Sequence, residues 1–385
     1  MKRQATVLRN GSARFARVWS IASALLLLAT AGWSQQPSIT WLGTLPSFMR
    51  SVALGVSADG SVVVGEARNA VDQYRAFRWT QATGMQDLGT LDGSRSWAYR
   101  VSADGSVVVG AAYNAAEQPR AFRWMQATGM QDLGTLGGSR SWASGISADG
   151  SVVVGEAENA SRQWRAFRWT QATGMQDLGT LGGGWSEANG VSADGSVVVG
   201  GARNAAGQWR AFRWTQMTGM QDLGTLPSFN RSTALSVSAD GSVVVGFAEN
   251  AAGQRRAFRW TQATGMQDLG TLGGRESVAW GVSADGSVVV GWTFNAAGQP
   301  CAFRWTPEGG MEDLNQTYAR LLTGGSVLSV ATAISPNGRY IVGRGFNTAL
   351  WREEAFLLDT VPEPASLMAL GAGLTGLIRL RRRKR

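Results

Sequence analysis

The side chains that carry most enzyme chemistry are scarce in this chain of 385 residues. It contains no histidine, which removes Ser-His-Asp and Cys-His nucleophilic systems and most zinc sites. Its single cysteine, Cys301, cannot form an internal disulfide. Cys301 occupies a position that is arginine in the other copies of a repeat, so we interpret it as sequence drift rather than as a reactive thiol. We therefore expect no catalytic residue, no metal and no cofactor.

Carboxylates are the remaining candidates for catalysis, because a glycosidase needs only two of them. The acids that interrupt the repeat pattern are Asp72, Glu117, Glu187, Glu276 and Glu308. The sequence places none of them at a fixed distance from a partner. A glycoside hydrolase or lyase therefore stays an alternative to a protein without catalytic activity.

Aspartates also recur inside the repeat itself, where they could be mistaken for a metal-binding array. They stand in the sequence Ser-Ala-Asp-Gly at Asp59, Asp104, Asp149, Asp194, Asp240 and Asp285. No copy has the clustered acids that a calcium loop needs. Aspartate before glycine is typical of tight turns, so we interpret these residues as turn formers.

The repeat has a period of 45 or 46 residues up to its last copy. The sequence Ser-Ala-Asp-Gly-Ser-Val-Val-Val-Gly begins at Ser57, Ser102, Ser147, Ser192, Ser238 and Ser283, and a degenerate copy covers 335–343. Each copy continues into Ala-Phe-Arg-Trp or a variant of it, and then into Gly-Met-Gln-Asp-Leu-Gly-Thr-Leu or a close variant. A fixed period in this range indicates a repeat architecture.

One repeat predicts four short antiparallel strands, A to D. In the first copy, strand A ends at Val56, B covers 61–67, C covers about 75–80 and D covers about 85–91. Asp59-Gly60 between A and B suits a type I′ turn, and Gln81 to Gly84 form a four-residue connection between C and D. Such a unit is typical of a propeller blade. Val62-Val63-Val64 is apolar on both faces, as a sheet stacked between two neighbours requires.

The number of strands predicts how the ring closes. Segments A, B and C each occur seven times, but the first D segment, Ile39 to Leu45, precedes every A strand and the last blade has no D segment of its own. We therefore predict an all-β fold, a seven-bladed β-propeller over 39–360 whose last blade is completed by the N-terminal strand. This closure leaves no unpaired strand edge at the junction.

A repeated charge pattern predicts the pairing of strands C and D. With a four-residue connection, arginine and aspartate fall opposite each other and form cross-strand ion pairs. The predicted pairs are Arg78–Asp87, Arg123–Asp132, Arg168–Asp177, Arg213–Asp222, Arg259–Asp268 and Arg304–Asp313. In the last blade the two positions are Leu357 and Trp41, so we predict that these two residues are neighbours.

Variation among the copies is concentrated in the D-to-A connections and the B-to-C hairpins, which the up-and-down strand order places on one face. That face carries aromatic rings beside arginines, a combination that suits sugar rings and acidic glycans. The candidate ligand-binding residues are Phe48, Arg95, Trp97, Arg140, Trp142, Trp164, Trp185, Trp209, Phe229 and Arg231. Loops also tolerate drift, so the same variation is compatible with protein adhesion or a structural role.

Charge is concentrated at the two ends of the chain. The net charge is +9, from 36 basic and 27 acidic residues, but five basic residues lie in 1–34, and 361–385 holds six basic residues and one acid. The segment between them has 25 basic and 26 acidic residues, which argues against a nucleic-acid partner. Residues 1–31, with an apolar run over 21–31 and cleavage at or before residue 34, are typical of a signal peptide.

The C-terminal segment 361–385 has three parts. Pro362-Glu363-Pro364 is followed by an apolar stretch over 365–378 and by a basic terminus from Arg379. The stretch is short for a membrane span, and the basic cluster favours the cytoplasmic side. This pattern resembles the PEP-CTERM tail of Gram-negative bacteria, which implies recognition by an exosortase, processing near the motif, and transient anchoring in the inner membrane.

The repeats resemble the HAF family of probable extracellular repeats, over about 40–360. The family's His-Ala-Phe appears here with arginine or Cys301 in the first position, so any role that the histidine has in the family cannot be assigned to this chain. We expect an exported monomer at the outer envelope, cell surface or matrix, processed by signal peptidase and an exosortase-type enzyme. Its expected function is non-catalytic binding of extracellular polysaccharide, with adhesion to a surface protein or a structural role as the alternative.

Overall fold

The fold consists of seven four-stranded antiparallel sheets that follow one another around a central channel. The computed structural model describes residues 36–360, and the signal-peptide and sorting-tail predictions lie outside these residues. Six sheets are formed by consecutive strands in the order A-B-C-D, and the innermost A strands contact one another around the ring. The prediction of an all-β, seven-bladed propeller is confirmed.

The strands are short, as the repeat predicts. The chain begins with β1 (Ser38–Trp41), and blade 1 comprises β2 (Arg50–Val56), β3 (Val62–Arg68), β4 (Tyr74–Thr80) and β5 (Gly84–Asp87). Blade 2 comprises β6 (Asp92–Val101), β7 (Val107–Asn114), β8 (Pro119–Met125) and β9 (Gly129–Asp132). Blade 3 comprises β10 (Gly137–Ile146), β11 (Val152–Asn159), β12 (Trp164–Thr170) and β13 (Gly174–Asp177). Blade 4 comprises β14 (Gly182–Val191), β15 (Val197–Asn204), β16 (Trp209–Thr215) and β17 (Gly219–Asp222).

The remaining blades follow the same order. Blade 5 comprises β18 (Arg231–Val237), β19 (Val243–Glu249), β20 (Arg255–Thr261) and β21 (Gly265–Asp268). Blade 6 comprises β22 (Gly273–Val282), β23 (Val289–Asn295), β24 (Pro300–Thr306) and β25 (Gly310–Asp313). A short helix, α1 (Leu314–Thr317), and two 3₁₀ turns, Ala319–Leu321 and Thr323–Gly325, lead to β26 (Val327–Ile334), β27 (Tyr340–Asn347) and β28 (Arg352–Asp359) of blade 7.

The hydrophobic core lies between the blades. In the first Val-Val-Val run, Val63 packs in a cluster shared with blade 7, whereas Val62 and Val64 pack in a cluster shared with blade 2. Successive side chains of a strand point to opposite faces, so one strand supplies both clusters. The phenylalanines of the Ala-Phe segments are fully buried in the same layers, from Phe77 to Phe356. The apolar character of both strand faces is therefore explained by stacking.

The A-to-B turns are built by the repeated aspartates, but they are not type I′ turns. Only Gly60 has a positive φ, +73°, whereas a type I′ turn needs two such residues. Asp59 accepts hydrogen bonds from the Ser57 hydroxyl at 2.7 Å and the Ser61 backbone N–H at 3.0 Å. These bonds lower the pKa of Asp59, and the bond from the Ser61 backbone has the largest effect. The turn-former interpretation agrees with these contacts, and the type I′ prediction was wrong.

Neighbouring A-to-B turns are joined by backbone hydrogen bonds that run around the ring. The N–H of Ala58 donates to the Ala103 carbonyl at 2.9 Å, and equivalent bonds continue to the bond from Ala284 to the Pro336 carbonyl. Proline has no N–H, so Pro336 cannot donate to blade 1. The junction between blades 7 and 1 therefore depends on other contacts.

β1 supplies those contacts by completing blade 7. It pairs antiparallel with β28, with Ser38 opposite Asp359, and the sheet order is β1-β28-β27-β26. Leu42 and Leu45, which follow β1, are buried in the cluster between blades 7 and 1. The predicted closure by the N-terminal strand is confirmed.

The predicted register of strands C and D was wrong by one residue. Thr80 pairs with Gly84, so the connection has three residues, and Arg78 lies opposite Gln86 while Asp87 lies opposite Phe77. Gly84 has a positive φ of +66°, which lets it pair at the start of strand D rather than belong to the loop. A one-residue shift moves each side chain to the other face of the sheet.

The six predicted ion pairs are therefore replaced by other contacts. The pairs concerned are Arg78–Asp87, Arg123–Asp132, Arg168–Asp177, Arg213–Asp222, Arg259–Asp268 and Arg304–Asp313. In blades 1 to 4 the aspartate pairs instead with the arginine that begins Arg-Ala-Phe, as in Arg120–Asp132 at 3.0 Å. In blade 6, Arg304 pairs with Glu312 at 3.0 Å. Arg168 donates to the Gly195 carbonyl of the next blade at 3.1 Å.

The same shift affects the last blade. Trp41 lies opposite Phe356 rather than Leu357, with ring centroids 6.4 Å apart, and Thr40 lies opposite Leu357. Trp41 and Leu357 pack in different core clusters, so the prediction that they are neighbours was wrong. No helix within residues 36–360 is long and apolar enough to span a membrane.

Candidate functional site

The two ends of the ring differ in their variability. Antiparallel strand order places the A-to-B and C-to-D turns at one end and the B-to-C hairpins and D-to-A connections at the other. We call these the constant end and the variable end. Candidate ligand-binding residues were predicted for the variable end, so their positions there are described first.

The predicted tryptophans form three aromatic clusters over blades 1 to 4. Trp97 lies between Tyr74 and Tyr113, with ring centroids 5.4 and 5.7 Å away. The other two clusters are the pairs Trp142–Trp164 at 5.0 Å and Trp185–Trp209 at 6.0 Å. Trp185 has 37 % of its surface exposed, and Arg203 lies over its ring at 5.8 Å.

The other predicted residues are not drawn into these clusters. Phe48 and Phe229 pack against the cores between blades 7 and 1 and between blades 4 and 5. Arg231 is exposed and pairs with Glu249 at 3.6 Å. Arg140 is exposed and Arg95 is half-buried. Aromatic rings and arginines therefore do not form one continuous surface at the variable end.

A feature that was not predicted lies in the channel, where every A strand carries a β-bulge. The bulged residue is unpaired with strand B, and it always stands three positions before the serine of the repeat. These residues are Leu54, Tyr99, Ser144, Asn189, Leu235, Trp280 and Thr332. A bulge redirects the side chain of the extra residue, and bulges are frequent beside active sites. We call this set the bulge ring.

All members of the bulge ring line one cavity of about 720 Å³ in the channel. Its wall also contains Trp292, Phe294 and Pro300 of blade 6, the last two at the ends of a B-to-C hairpin, so the cavity extends toward the variable end. Glu66, Arg100 and Arg344 add charged groups. A mainly apolar and aromatic cavity of this size with a few polar groups is typical of a small-molecule site.

Glu66 of blade 1 lines the cavity, and beside the cavity Glu187 of blade 4 contacts Asn189 and lies close to Glu156 of blade 3. Burial raises the pKa of Glu66 to about 7, although Arg344 lowers it. Burial, and then the negative charge of Glu187, raises the pKa of Glu156 to about 7, while a hydrogen bond from Trp185 lowers it. Burial also raises the pKa of Glu187, whose carboxylate accepts from the Asn189 amide at 3.3 Å. Glu66 and Glu156 are therefore partly protonated near neutral pH.

None of the acids proposed for a glycosidase lines the channel cavity. Glu187 accepts a hydrogen bond from Asn189 of the cavity wall and lies close to Glu156, which was not among the predicted residues. Asp72 pairs with Arg68 in a hairpin, and Glu117 accepts a hydrogen bond from Ser94 at 2.6 Å in another. Glu276 lies in the A strand of blade 6, and Glu308 lies in a C-to-D turn at the constant end.

A second cavity, of about 460 Å³, lies beside α1 at the variable end of blades 6 and 7. It shares Pro300 with the channel cavity, and Cys301 and Asp313 lie in its wall. Burial raises the pKa of the Cys301 thiol to about 11, so it is an unreactive thiol at neutral pH. No group of three or more potential metal ligands occurs within the described part of the chain.

A sequence signal for the bulge ring exists. The position three residues before the repeated serine varies among leucine, tyrosine, serine, asparagine, tryptophan and threonine, although the residue directly before it is always alanine. A regular A strand offers no reason to treat one interior position separately, so this variation was not distinguished from that of the loops.

Comparison with known proteins identifies the tail but not the propeller. A family model described as the PEP-CTERM protein-sorting motif matches residues 360–384. The motif implies export to the envelope of a Gram-negative bacterium and processing by an exosortase-type enzyme. No curated protein sequence matches the chain.

Solved structures support the fold alone. The β-propeller domain of the Trilobed protease from Pyrococcus furiosus matches with a TM-score of 0.52 and 12 % identity, over 81 % of this chain and 96 % of that one. Puromycin hydrolase matches with a TM-score of 0.52 and 15 % identity, over 81 % of this chain, which spans 54 % of that protein. TolB from Acinetobacter baumannii matches at 0.47 and 13 % identity, over 82 % of this chain and 65 % of that one.

Proposed function

We propose that this protein is an exported, non-catalytic binding module that holds a glycan of the extracellular matrix in its central channel. The observation that carries the proposal is the bulge ring. One position in each A strand lines a shared cavity and differs chemically among the blades, although the residue directly before it is alanine in all seven. A cavity lined in this way is asymmetric, as recognition of one particular ligand requires.

The chemistry of the cavity suits a sugar. Trp280, Trp292 and Phe294 offer flat apolar faces on blade 6, and Trp280 has a buried indole nitrogen without a hydrogen-bond partner in the described structure. Asn189 and Ser144 add polar groups on the opposite blades. A sugar has an apolar ring face and a rim of hydroxyl groups, so both kinds of wall can be used.

The position of the chain ends is consistent with presentation to the outside. Ser38 and Asp359 are paired, and Thr360 donates its backbone N–H to Arg339 in an A-to-B turn at 3.0 Å. The sorting tail therefore starts at the constant end. A ring attached through that tail would direct its variable end away from the attachment site.

The remaining parts of the proposal follow from the sequence. We include membership of the repeats in the HAF family, removal of residues 1–31 as a signal peptide, transient membrane insertion of the tail, a monomeric state, and a final location at the cell surface or in the matrix. Extracellular polysaccharide is the proposed ligand.

A binding titration tests the proposal. The purified full-length chain is titrated with the extracellular polysaccharide of the producing organism, and reducing ends are measured in the same samples. Saturable binding without new reducing ends is the expected result. Absence of binding would contradict glycan recognition and favour adhesion to a surface protein or a structural role.

A glycosidase is the second candidate, because Glu156 and Glu187 form a neighbouring pair of carboxyl groups with raised pKa values. One protonated acid and one carboxylate are what glycoside hydrolysis requires. New reducing ends that disappear in Glu187→Gln would establish this function instead of simple binding.

A further inference from the structure

Arg100 is an exception among the A strands. It stands directly after the bulged Tyr99, at a position that is small in every other blade. The equivalent residues are Gly55, Gly145, Gly190, Ser236, Gly281 and Ala333. The glycines among them lie close to the next A strand, where a Cβ at Gly55 would be 3.1 Å from the Cα of Arg100, whereas the side chain of Arg100 lines the channel cavity.

The guanidinium lies at the floor of the channel cavity. Arg100 and Trp280 line both the 720 Å³ cavity and a smaller one of about 140 Å³ toward the constant end. One nitrogen of Arg100, Nη1, donates to the carbonyls of Leu54 at 2.7 Å and Tyr99 at 2.9 Å. The side chain is therefore held in one position by the backbone.

Arg100 has no anionic partner among residues 36–360. No carboxylate lies within 4.0 Å of it, and its Nε and Nη2 make no hydrogen bond to a described residue. Burial lowers the pKa of Arg100 to about 10, so it remains charged at neutral pH. Arg100 is half-buried, and its Nε and Nη2 are not among the buried atoms that lack a partner, so these donors face the channel. A guanidinium with free donors in a channel can bind an anion through charge-assisted hydrogen bonds.

We propose that Arg100 binds the carboxylate of an acidic sugar, a hexuronic acid residue of the glycan, while the sugar ring packs against Trp280 and Trp292. This inference rests on the proposed function and adds the ligand class to it. Arginine offers parallel N–H donors that match a carboxylate, and such charge-assisted bonds are about twice as strong as neutral ones. Trp280 can donate its free indole N–H to a sugar oxygen.

The glutamates of the channel are compatible with an anionic ligand. Glu66 is close enough to Arg344 for that cation to lower its pKa, so its charge is partly balanced. Glu156 is partly protonated near neutral pH and can then donate a hydrogen bond to a sugar oxygen, and burial raises the pKa of Glu187 as well. Repulsion of a uronate is correspondingly reduced.

Three small probes separate the elements of the proposal: D-glucuronate carries ring and carboxylate, D-glucose carries the ring, and acetate carries the carboxylate. Their binding to the full-length chain is measured by ligand-observed NMR titration. We expect D-glucuronate to bind at least about ten-fold more tightly than D-glucose, the effect of one hydrogen bond to a charged group.

The variants identify the residue responsible. Arg100→Met keeps the length of the side chain and should remove the preference for D-glucuronate. Arg100→Lys keeps the charge without the parallel donors and should retain part of the preference for D-glucuronate. If Arg100→Met does not fold, Arg100→Lys is used as the test variant in its place. Arg320→Met, at an exposed arginine in the 3₁₀ turn, is the matched control and should bind as the parent does.

The outcomes distinguish this inference from the proposed function. Equal binding of D-glucuronate and D-glucose, or a preference that survives Arg100→Met, overturns the role of Arg100 and leaves glycan binding standing. If neither sugar binds, the proposal of glycan recognition is wrong. The acetate titration then tests separately whether Arg100 forms a carboxylate site. Acetate binding that is lost in Arg100→Met supports a carboxylate site, and no acetate binding overturns it.

Discussion

The hydroxyl of Ser51 accepts a hydrogen bond from the backbone N–H of Ala355 at 2.9 Å and donates to the Gly43 carbonyl at 2.6 Å. Ser96 makes the same two contacts with Ala76 and Gly89 at an ordinary junction between blades. β1 and the segment after it thus occupy the places of a normal D strand and of the start of its D-to-A connection. Ring closure repeats the geometry of the other junctions with residues from opposite ends of the chain.

Ser51→Ala should therefore destabilise the protein as much as a substitution at an ordinary junction. Removing the hydroxyl leaves a buried N–H and a carbonyl unsatisfied, which costs about 1–3 kcal/mol. Ser141→Ala is the matched control, because Ser141 makes the equivalent bonds. Thermal and denaturant unfolding measure both, and a neutral Ser51→Ala beside a costly Ser141→Ala would contradict the closure.

Deleting residues 39–45 should lower the midpoint of thermal unfolding more than either serine substitution. The deletion removes the partner of β28 and two buried leucines, Leu42 and Leu45, and leaves an open strand edge. We expect increased aggregation as well. An unfolding midpoint like that of the intact chain would refute the stabilising role of β1.

The corrected register predicts which charges interact. A double-mutant cycle between Arg120 and Asp132, whose side chains are 3.0 Å apart, should show a favourable coupling of up to about 1 kcal/mol. A cycle between Arg123 and Asp132 is the matched control. Because these two side chains lie on opposite faces, its coupling should be near zero, and the reverse result would restore the register predicted from the sequence.

Gly201→Ala should destabilise blade 4. A Cβ atom at this position would lie 2.5 Å from the indole nitrogen of Trp209, which donates to the Thr233 hydroxyl at 2.8 Å. The ring must move and the bond must break, at a cost of about 1–3 kcal/mol. Gly184→Ala, where a Cβ meets open space, is the control and should be close to neutral. Equal unfolding free energies for both variants would disprove the clash.

Stability should rise as pH falls from 8 toward 5. Glu66 and Glu156 have pKa values of about 7 in the folded state, above the ordinary value of 4.5 for glutamate, so folding favours their protonated forms. Their contribution is complete below about pH 4.5 and is lost as pH rises through about 7. The turn aspartates have lowered pKa values and stay charged throughout this range.

The double variant Glu66→Gln with Glu156→Gln tests the origin of that dependence. Its free energy of unfolding should change less between pH 5 and 8 than that of the parent. Glu308→Gln, at an exposed turn, should leave the dependence unchanged. A parent protein whose stability is independent of pH over this range would contradict the burial of these carboxyl groups.

The repeat was sufficient to predict the blade number and the closing strand, because seven copies of A, B and C and a displaced D segment allow one arrangement. The pairing register of strands C and D was harder to predict from the sequence. A glycine such as Gly84 can belong to the loop or begin the strand, and a period-two pattern does not distinguish these cases when both faces are buried. The bulge ring was missed for a related reason, since a bulge adds one residue to a strand without a distinctive residue type.

A binding titration of Trp280→Ala tests the central claim most directly, because Trp280 belongs to the bulge ring and lines both channel cavities. Trp185→Ala, at an exposed ring of the variable end, serves as the comparison. With the extracellular polysaccharide as ligand, we expect Trp280→Ala to weaken binding at least about ten-fold while its fold, measured by circular dichroism, is retained. Unchanged affinity in Trp280→Ala, with binding lost in Trp185→Ala, would place the ligand outside the channel and contradict the account.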